Sequence, residues 1–427
     1  MLRKRTVRAV FILLCALFVQ GLILSPQKVE AESDNVDLGL NVKSAILMEL
    51  TTGQIIYGLN ENEPRPPASM AKMMTEYLVM RQIETGKISW DDMVMTSKNA
   101  ADAIGSGQLM AEGQTYPLRK VFELLSIYSG NDAAIALAEH ISGTQDGFAK
   151  LMNETAKELG MSEGARFINS TGLERDDMVE EPAIEGETLM SAKDAAILAR
   201  AIITEYPEVL EFTKIPQLKF EETDAEPMVN WNWMVEGNKD SVSLQQFAYE
   251  GLDGLKTGNT NSAGYCFTGT AEQDGMRLVS VVMGADSISA RFNETRKLLD
   301  YGFNNFEVKT ILSAKTELPD LPSIQIRNAV NREAPVLIGE GLVVVGRKGE
   351  EGTRTTKYQL FEESKLVAPL QAGAQVGSVT VTYQGSDYEV PLVVAEDVEQ
   401  AGWFQMMLRG MGDFFSNLFS GITGLIG

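Results

Sequence analysis

The segment Ser69-Met70-Ala71-Lys72 stands at the start of a pattern in which apolar residues recur every three or four positions. This spacing predicts a helix that begins near residue 68 and turns one face toward a core, through Met70, Met73, Met74, Tyr77 and Leu78. Side chains three positions apart share a helix face, so the Ser69 hydroxyl and the Lys72 amine are expected to be neighbours. Alone, such a pair is more typical of a capping serine followed by a solvated lysine.

Two further segments follow in the chain. Ser129-Gly130-Asn131 lies between two helical patterns and predicts a tight turn, whose hydroxyl and amide can relay a proton and hold a substrate amide. Helix capping explains it equally well. Lys256-Thr257-Gly258 predicts an edge strand where an ammonium and a hydroxyl bind a carboxylate, although a plain turn with a solvated lysine is the commoner occurrence. In this order the three segments match S-x-x-K, S-x-N and K-T-G, a far more specific signal than any one alone.

The supply of possible bases limits the chemistry of Ser69. A serine hydroxyl needs a neighbouring base, and His140 is the single histidine of the chain. His140 lies late in an alanine-rich helical pattern, where a capping or surface role is expected. Lys72 can serve instead if burial or a nearby positive charge, such as that of Lys256, lowers its pKa. The helix start at Ser69 also supplies free backbone N–H groups for an oxyanion.

The N-terminus has the order of a secretory signal: basic residues, an apolar run from Ala9 to Val19, and small residues ending at Ala31. We predict cleavage after residue 31, with an uncleaved anchor as the alternative. Cys266 is then the single remaining cysteine, so the exported chain has no intramolecular disulfide. The net charge of −22 argues against nucleic-acid binding, because the protein would repel phosphates. One histidine and one cysteine also leave little for a zinc site, and no metal is predicted.

Residues 32–309 show strands at both ends and helices between them. A hairpin is predicted at residues 45–57, followed by helices and then by closing strands and a helix; these later elements are predicted at residues 118–128, 132–141, 148–159, 192–205, 264–271, 278–284 and 291–301. Such a chain is expected to fold as α+β, with helices packed on an antiparallel sheet.

The character of the sequence changes twice toward the C-terminus. Residues 310–397 contain short β-branched runs separated by glycine, proline and charges, which predicts a small all-β domain without chemistry of its own. Residues 398–427 place aromatic and aliphatic side chains at helical spacing, interrupted by polar ones too often for a membrane-spanning helix. We interpret this tail as an amphipathic helix lying in a membrane surface. A helix docked on the β domain, or a dimer contact, is the alternative.

The mature chain resembles the low-molecular-mass penicillin-binding proteins that act as serine-type D-alanyl-D-alanine carboxypeptidases (peptidase family S11). Beyond the three motifs, four segments carry the resemblance: Asn169-Ser170-Thr171-Gly172-Leu173, Ser191-Ala192-Lys193-Asp194, Asn230-Trp231-Asn232 and the Gly-Asn-Thr that follows Thr257. The resemblance implies a serine β-lactamase/transpeptidase-like α+β domain, followed by the all-β domain and an amphipathic anchor.

The resemblance also implies a role for each site residue. Ser69 would be the acylated nucleophile and Lys72 its general base, while Ser129 and Asn131 would transfer protons and position the substrate. The remaining substrate-binding residues would be Lys256, Thr257, Asn259 and Arg291: the first two would bind the terminal carboxylate, the backbone N–H groups of Ser69 and Asn259 would form the oxyanion hole, and Arg291 would orient the carboxylate end.

The resemblance further implies the partners and the location. The substrate would be a peptidoglycan pentapeptide, trimmed at the outer face of the cytoplasmic membrane, and β-lactam antibiotics would bind covalently. No cofactor is implied.

Two rival functions remain open at this stage. One is a serine β-lactamase, and the other is a non-catalytic penicillin-sensing or wall-binding protein. Glu226-Pro227-Met228-Val229-Asn230 resembles the loop that carries the deacylating glutamate of class A β-lactamases. That loop is expected soon after the second motif, whereas here it falls shortly before Lys256. We therefore interpret the match as coincidental.

Overall fold

The structure, a computed structural model, describes residues 36–408. The predicted signal peptide at residues 1–31 lies outside the described residues. Residues 409–427 of the predicted anchor lie outside them as well. The helices are α1 Lys72–Glu84, α2 Lys98–Ala101, α3 Leu118–Tyr128, α4 Asn131–Ser142, α5 Gln145–Glu158, α6 Ala192–Glu205, α7 Leu210–Thr213 and α8 Ile288–Asn305. Short 3-10 turns lie at Ala68–Ala71, Arg175–Asp177, Pro207–Val209 and Glu236–Asp240.

The strands come from both ends of the helical region and from the C-terminal part. They are β1 Ser44–Glu49, β2 Ile55–Leu59, β3 Met93–Met95, β4 Thr115–Pro117, β5 Gln217–Leu218, β6 Met228–Val229, β7 Leu252–Thr260, β8 Gly264–Gln273, β9 Met276–Ala285, β10 Phe306–Leu312, β11 Ser323–Gln325, β12 Glu333–Ile338, β13 Leu342–Arg347, β14 Arg354–Leu360, β15 Gln375–Tyr383 and β16 Ser386–Val394.

The predicted helices are present, and their ends follow from local capping. Two of them, residues 118–128 and 192–205, agree with the prediction to the residue. α5 begins three residues earlier than predicted, because the Thr144 hydroxyl accepts a hydrogen bond from Gly147 N–H. α8 likewise begins at residue 288, because the Ser287 hydroxyl accepts one from Ala290 N–H.

The main sheet is antiparallel, with the strand order β2-β1-β9-β8-β7. Successive residues of β1 point to opposite faces, so Ile46 packs on the face covered by α6 and Leu47 on the face covered by α8. Helices therefore cover a sheet built from both ends of the domain, which confirms the α+β prediction. β7, the strand with the Lys256 segment, lies at one edge of the sheet.

The C-terminal part forms a second antiparallel sheet in the order β11-β12-β16-β15-β14, with β10 and β13 paired beside it. Val336, Val379 and Leu392 are fully buried in a core of its own. The predicted boundary between residues 309 and 310 falls inside β10, which continues directly from α8. The division of the chain at residues 31, 309 and 397 stays a prediction.

The start of the tail packs on the β structure. Val398 pairs with Leu370 and is buried, and Ala401 is buried as well, so these residues are not part of a free helix. The described helical residues begin at 403, not at 398 as predicted. Within residues 36–408 no helix is long and apolar enough to cross a bilayer.

Candidate active site

Ser69 lies in the 3-10 turn Ala68–Ala71, immediately before α1. Ala68 adopts a positive φ of 50°, which turns the chain sharply between Pro67 and the helix. Gly172 presses against this turn: a Cβ on Gly172 would lie 2.0 Å from the Ala68 carbonyl oxygen. The close packing fixes the position of the Ser69 hydroxyl at the start of the helix.

The Lys72 amine contacts Ser69 directly. Lys72 Nζ lies 3.0 Å from Ser69 Oγ and donates hydrogen bonds to Asn131 Oδ1 at 2.6 Å and to the Thr171 carbonyl at 2.9 Å. The side chain is fully buried. Burial and the positive charge of Lys256 hold the Lys72 pKa well below its usual value, because both disfavour the ammonium form. A lysine in this state can accept the proton of the Ser69 hydroxyl.

Ser129-Gly130-Asn131 forms the predicted turn between α3 and α4. Ser129 ends α3 in the left-handed region at φ 64°, which swings its hydroxyl toward β7. There Ser129 Oγ accepts a hydrogen bond from Lys256 Nζ at 2.7 Å. The Asn131 amide donates to the Ile104 carbonyl at 2.6 Å, so the oxygen that receives the Lys72 bond is held in place.

Lys256-Thr257-Gly258 lies on β7, as predicted, and packs on the turn that carries Ser69. A Cβ on Gly258 would lie 2.4 Å from the Pro67 carbonyl oxygen and 3.1 Å from Met70 N. Lys256 is buried, and burial lowers its pKa; Arg291 also lowers it, whereas the Glu76 carboxylate raises it. Only a glycine at position 258 permits β7 to come this close to the turn that carries Ser69.

A pocket of about 190 Å³ opens between the turn, the Ser129 loop and β7. Its lining is Ser69, Ser106, Ser129, Trp231, Thr257, Gly258, Asn259, Tyr265, Ile288 and Arg291. The other predicted site residues, Lys72, Asn131 and Lys256, are buried behind this lining. Two larger cavities, of about 660 and 580 Å³, lie elsewhere on the surface and contain none of the three motifs. We therefore take the smaller one as the candidate active site.

Arg291 reaches the pocket from α8. Its guanidinium donates to the Gly258 carbonyl at 3.4 Å and lies over the Phe292 ring, 4.7 Å from the ring centroid. Burial lowers its pKa to about 10, so the group remains a cation near neutral pH. A buried cation beside Thr257 and Asn259 gives this end of the pocket a positive charge, which suits a carboxylate.

Several residues at the site were not expected from the sequence. Trp231 stacks on Tyr128 and donates its indole N–H to the Tyr128 carbonyl at 3.0 Å, so an aromatic wall stands beside Ser69. The Thr171 carbonyl that receives a Lys72 bond was equally unassigned. Both lie in segments that carried the family resemblance, but the residue types alone point to no contact.

Two residues weighed in the sequence lie away from this chemistry. Glu226 is exposed and does not belong to the pocket lining. His140 is half-buried, with its Nε2 3.9 Å from Asp92, and is not part of the lining either. In the described part of the chain, no cluster of three or more His, Cys, Asp or Glu side chains is arranged to hold a metal ion.

The sequence matches two known protein families. Residues 28–287 match the family described as D-alanyl-D-alanine carboxypeptidase, and residues 306–400 match the family described as penicillin-binding protein 5, C-terminal domain. The chain is 32% identical to the D-alanyl-D-alanine carboxypeptidase DacF of Bacillus subtilis over 379 residues, which cover 88% of this chain and 91% of the relative.

Solved structures agree with the sequence relatives. Penicillin-binding protein 5 of Haemophilus influenzae superposes with a TM-score of 0.70 at 28% identity, covering 84% of this chain and 98% of that one. The ampicillin-bound form of penicillin-binding protein D2 of Listeria monocytogenes gives a TM-score of 0.54 at 32% identity, covering 64% of this chain and all of that one.

Proposed function

The chain belongs to the serine-type D-alanyl-D-alanine carboxypeptidases, and on that premise we propose that Ser69 is its acylated nucleophile and Lys72 the base. The observation that carries the proposal is the 3.0 Å contact between Ser69 Oγ and the amine of the fully buried Lys72. Burial favours the neutral amine, and a neutral amine has a lone pair for the serine proton.

In the first step, Ser69 Oγ attacks the carbonyl carbon of the penultimate D-alanine while its proton passes to Lys72 Nζ. The carbonyl oxygen becomes an oxyanion, and the backbone N–H groups of Ser69 and Asn259 are its proposed donors. Both residues line the same pocket, and Ser69 lies at a helix start where N–H groups are free.

The leaving group is the amine of the terminal D-alanine. As the C–N bond breaks, this nitrogen takes the proton of the Ser129 hydroxyl, and Ser129 recovers a proton from Lys72, which holds the one taken from Ser69. Lys256 stays protonated: its 2.7 Å hydrogen bond is accepted by Ser129 Oγ and leaves the Ser129 proton free for the leaving amine. Free D-alanine leaves, and water then hydrolyses the ester on Ser69, returning the serine proton and releasing the shortened peptide.

The terminal carboxylate is proposed to bind at the positive end of the pocket. Lys256 and Thr257 supply an ammonium and a hydroxyl, and Arg291 places a second cation behind Gly258. Charge-assisted hydrogen bonds of this kind fix the orientation of a carboxylate as well as binding it. The substrate is accordingly proposed to be a peptidoglycan stem pentapeptide with a free D-Ala-D-Ala terminus.

β-Lactam antibiotics are proposed to acylate the same serine. The ampicillin-bound Listeria relative supports this, since its fold and length match most of the catalytic region. We further propose that the chain is exported by its N-terminal signal and works at the outer face of the cytoplasmic membrane. The amphipathic pattern of the tail supports attachment to the membrane surface.

Intact-mass measurement after incubation with penicillin tests the nucleophile. The wild-type protein is expected to gain one antibiotic mass and to release D-alanine from a pentapeptide, whereas Ser69→Ala should do neither. The chain's other S-x-x-K, at Ser25 and Lys28, lies in the predicted signal peptide. Ser106→Ala is the matched control, because this serine lines the same pocket and should leave labelling complete.

The rival functions give different results in the same experiment. Rapid loss of the adduct with continuing penicillin hydrolysis would favour a β-lactamase. A stable adduct without any D-alanine release would favour a sensing protein. Covalent labelling that persists in Ser69→Ala would refute the assignment of the nucleophile.

A further inference from the structure

Glu76 is a buried carboxyl group to which the proposed reaction gives no part. It lies in α1, one helical turn after Lys72, and is fully shielded from solvent. Positions four apart on a helix place their Cβ atoms about 5–6 Å from each other, so the side chains of Glu76 and Lys72 leave the helix on the same face. Neither of its two oxygens has a hydrogen-bond partner among the described residues, although an unpartnered buried carboxyl is costly.

Glu76 lies on a helix that contacts the elements carrying the other two motifs. The Ser126 hydroxyl is buried beside the carboxyl and favours its ionised form. Ser126 lies three residues before Ser129, whose hydroxyl receives the Lys256 bond. The helix α1 that carries Glu76 contacts both α3, which ends next to Ser129, and β7, which carries Lys256.

Among the described residues, two lysines act on this carboxyl. Lys72 on its own helix and Lys256 on β7 act on it directly, and both favour its ionised form. Asp132, at the start of α4, acts on Lys72, and Arg291, from α8, acts on Lys256. Burial raises the pKa of Glu76, so its charge changes closer to neutral pH than that of an ordinary glutamate.

We propose that Glu76 is a positioning residue whose negative charge keeps Lys256 protonated while Lys72 is neutral. This role of Glu76 rests on the proposed functions of the two lysines. Burial lowers the pKa of Lys256 and the Glu76 carboxylate raises it, whereas burial and the charge of Lys256 lower the pKa of Lys72. The buried anion thus opposes the loss of the proton from Lys256, while burial and the charge of Lys256 keep Lys72 neutral.

Glu76→Gln tests the proposal, because glutamine keeps the shape and removes the charge. Without the anion the Lys256 pKa falls. The alkaline limb of the pH profile of kcat/KM should therefore shift to lower pH, by about one pH unit or more. The acid limb, which reports loss of the proton from Lys72, should move less. The loss at alkaline pH should appear in KM more than in kcat, because Lys256 binds the substrate carboxylate.

Two further variants keep the test decisive. Glu76→Asp retains a charge and should restore much of the wild-type alkaline limb. Ser126→Ala removes the hydroxyl that favours the ionised carboxyl, so it should move the limb in the same direction as Glu76→Gln but by less. If Glu76→Gln does not fold, the sign of the Ser126→Ala shift decides.

Different results would contradict the role of Glu76 and the proposed reaction. Wild-type D-alanine release with a bell-shaped profile and no activity in Ser69→Ala would uphold the reaction itself. Against that background, a folded Glu76→Gln enzyme with both limbs in their wild-type places would overturn the role of Glu76, whatever its rate. A larger movement of the acid limb than of the alkaline one would overturn it equally.

Discussion

Gly258→Ala is expected to separate the carboxylate-binding strand from the turn that carries the nucleophile. In the structure an alanine Cβ at this position would lie 2.4 Å from the Pro67 carbonyl oxygen and 3.2 Å from the Ala68 Cβ. These contacts are with backbone and with a side chain that has no rotamers, so no flexible group can yield. β7 or the turn must move.

The size of the movement follows from these distances. Normal van der Waals separation is about 3.5 Å, so strand and turn must part by roughly 1 Å. A misplacement of about 1 Å can cost about 100-fold in rate, because Ser69 and the groups that hold the carboxylate no longer fit one substrate. Overpacking of this kind typically costs about 1–3 kcal/mol of stability, and we expect the melting temperature to fall by a few degrees.

The assay is the rate of covalent labelling by a fluorescent penicillin, measured beside a thermal unfolding curve. Gly402→Ala is the control, since a Cβ on Gly402 meets nothing within 4 Å and should change neither quantity. If Gly258→Ala is labelled at the wild-type rate and unfolds at the wild-type temperature, strand and turn do not pack as described. The steric reason for glycine in the third motif would then be wrong.

Two other outcomes are expected. Lys72→Arg should lose nearly all labelling by penicillin and nearly all D-alanine release, since a guanidinium stays protonated and cannot take the Ser69 proton; normal labelling in this variant would end the lysine-base mechanism. Deleting residues 403–427, which spares the packed Val398 and Ala401, should release the protein from membranes and leave its activity on a soluble peptide unchanged. Each apolar side chain of the tail contributes roughly 1.5–3 kcal/mol if fully buried, and Arg409 is its one basic residue, so a salt wash should not release the intact protein. A truncated chain that still sediments with membranes, or an intact one that salt removes, would contradict the anchor.

The fold class and most helices were predictable because they depend on local patterns. The three- and four-residue recurrence of Met70, Met73 and Met74 predicts the buried face of α1, and all three side chains are fully buried. The strand β10 was not predicted, although Phe306, Val308 and Leu312 mark an alternating pattern. Its partner strand β13 begins about thirty residues later in the sequence, and no local sequence pattern predicts a pairing over that separation.

The sequence by itself determined which residues can carry the chemistry: one serine before a lysine, a second serine before an asparagine, and a lysine before a threonine and a glycine. Only the tertiary structure decided the protonation state of these residues. The pKa of Lys72 is low because the side chain is fully enclosed and Lys256, 184 positions away in the chain, adds its charge. Glu76 gave no signal in the sequence, because a glutamate on a helix is normally solvated. Desolvation is a property of every neighbour at once, and those neighbours are brought together by packing between distant segments.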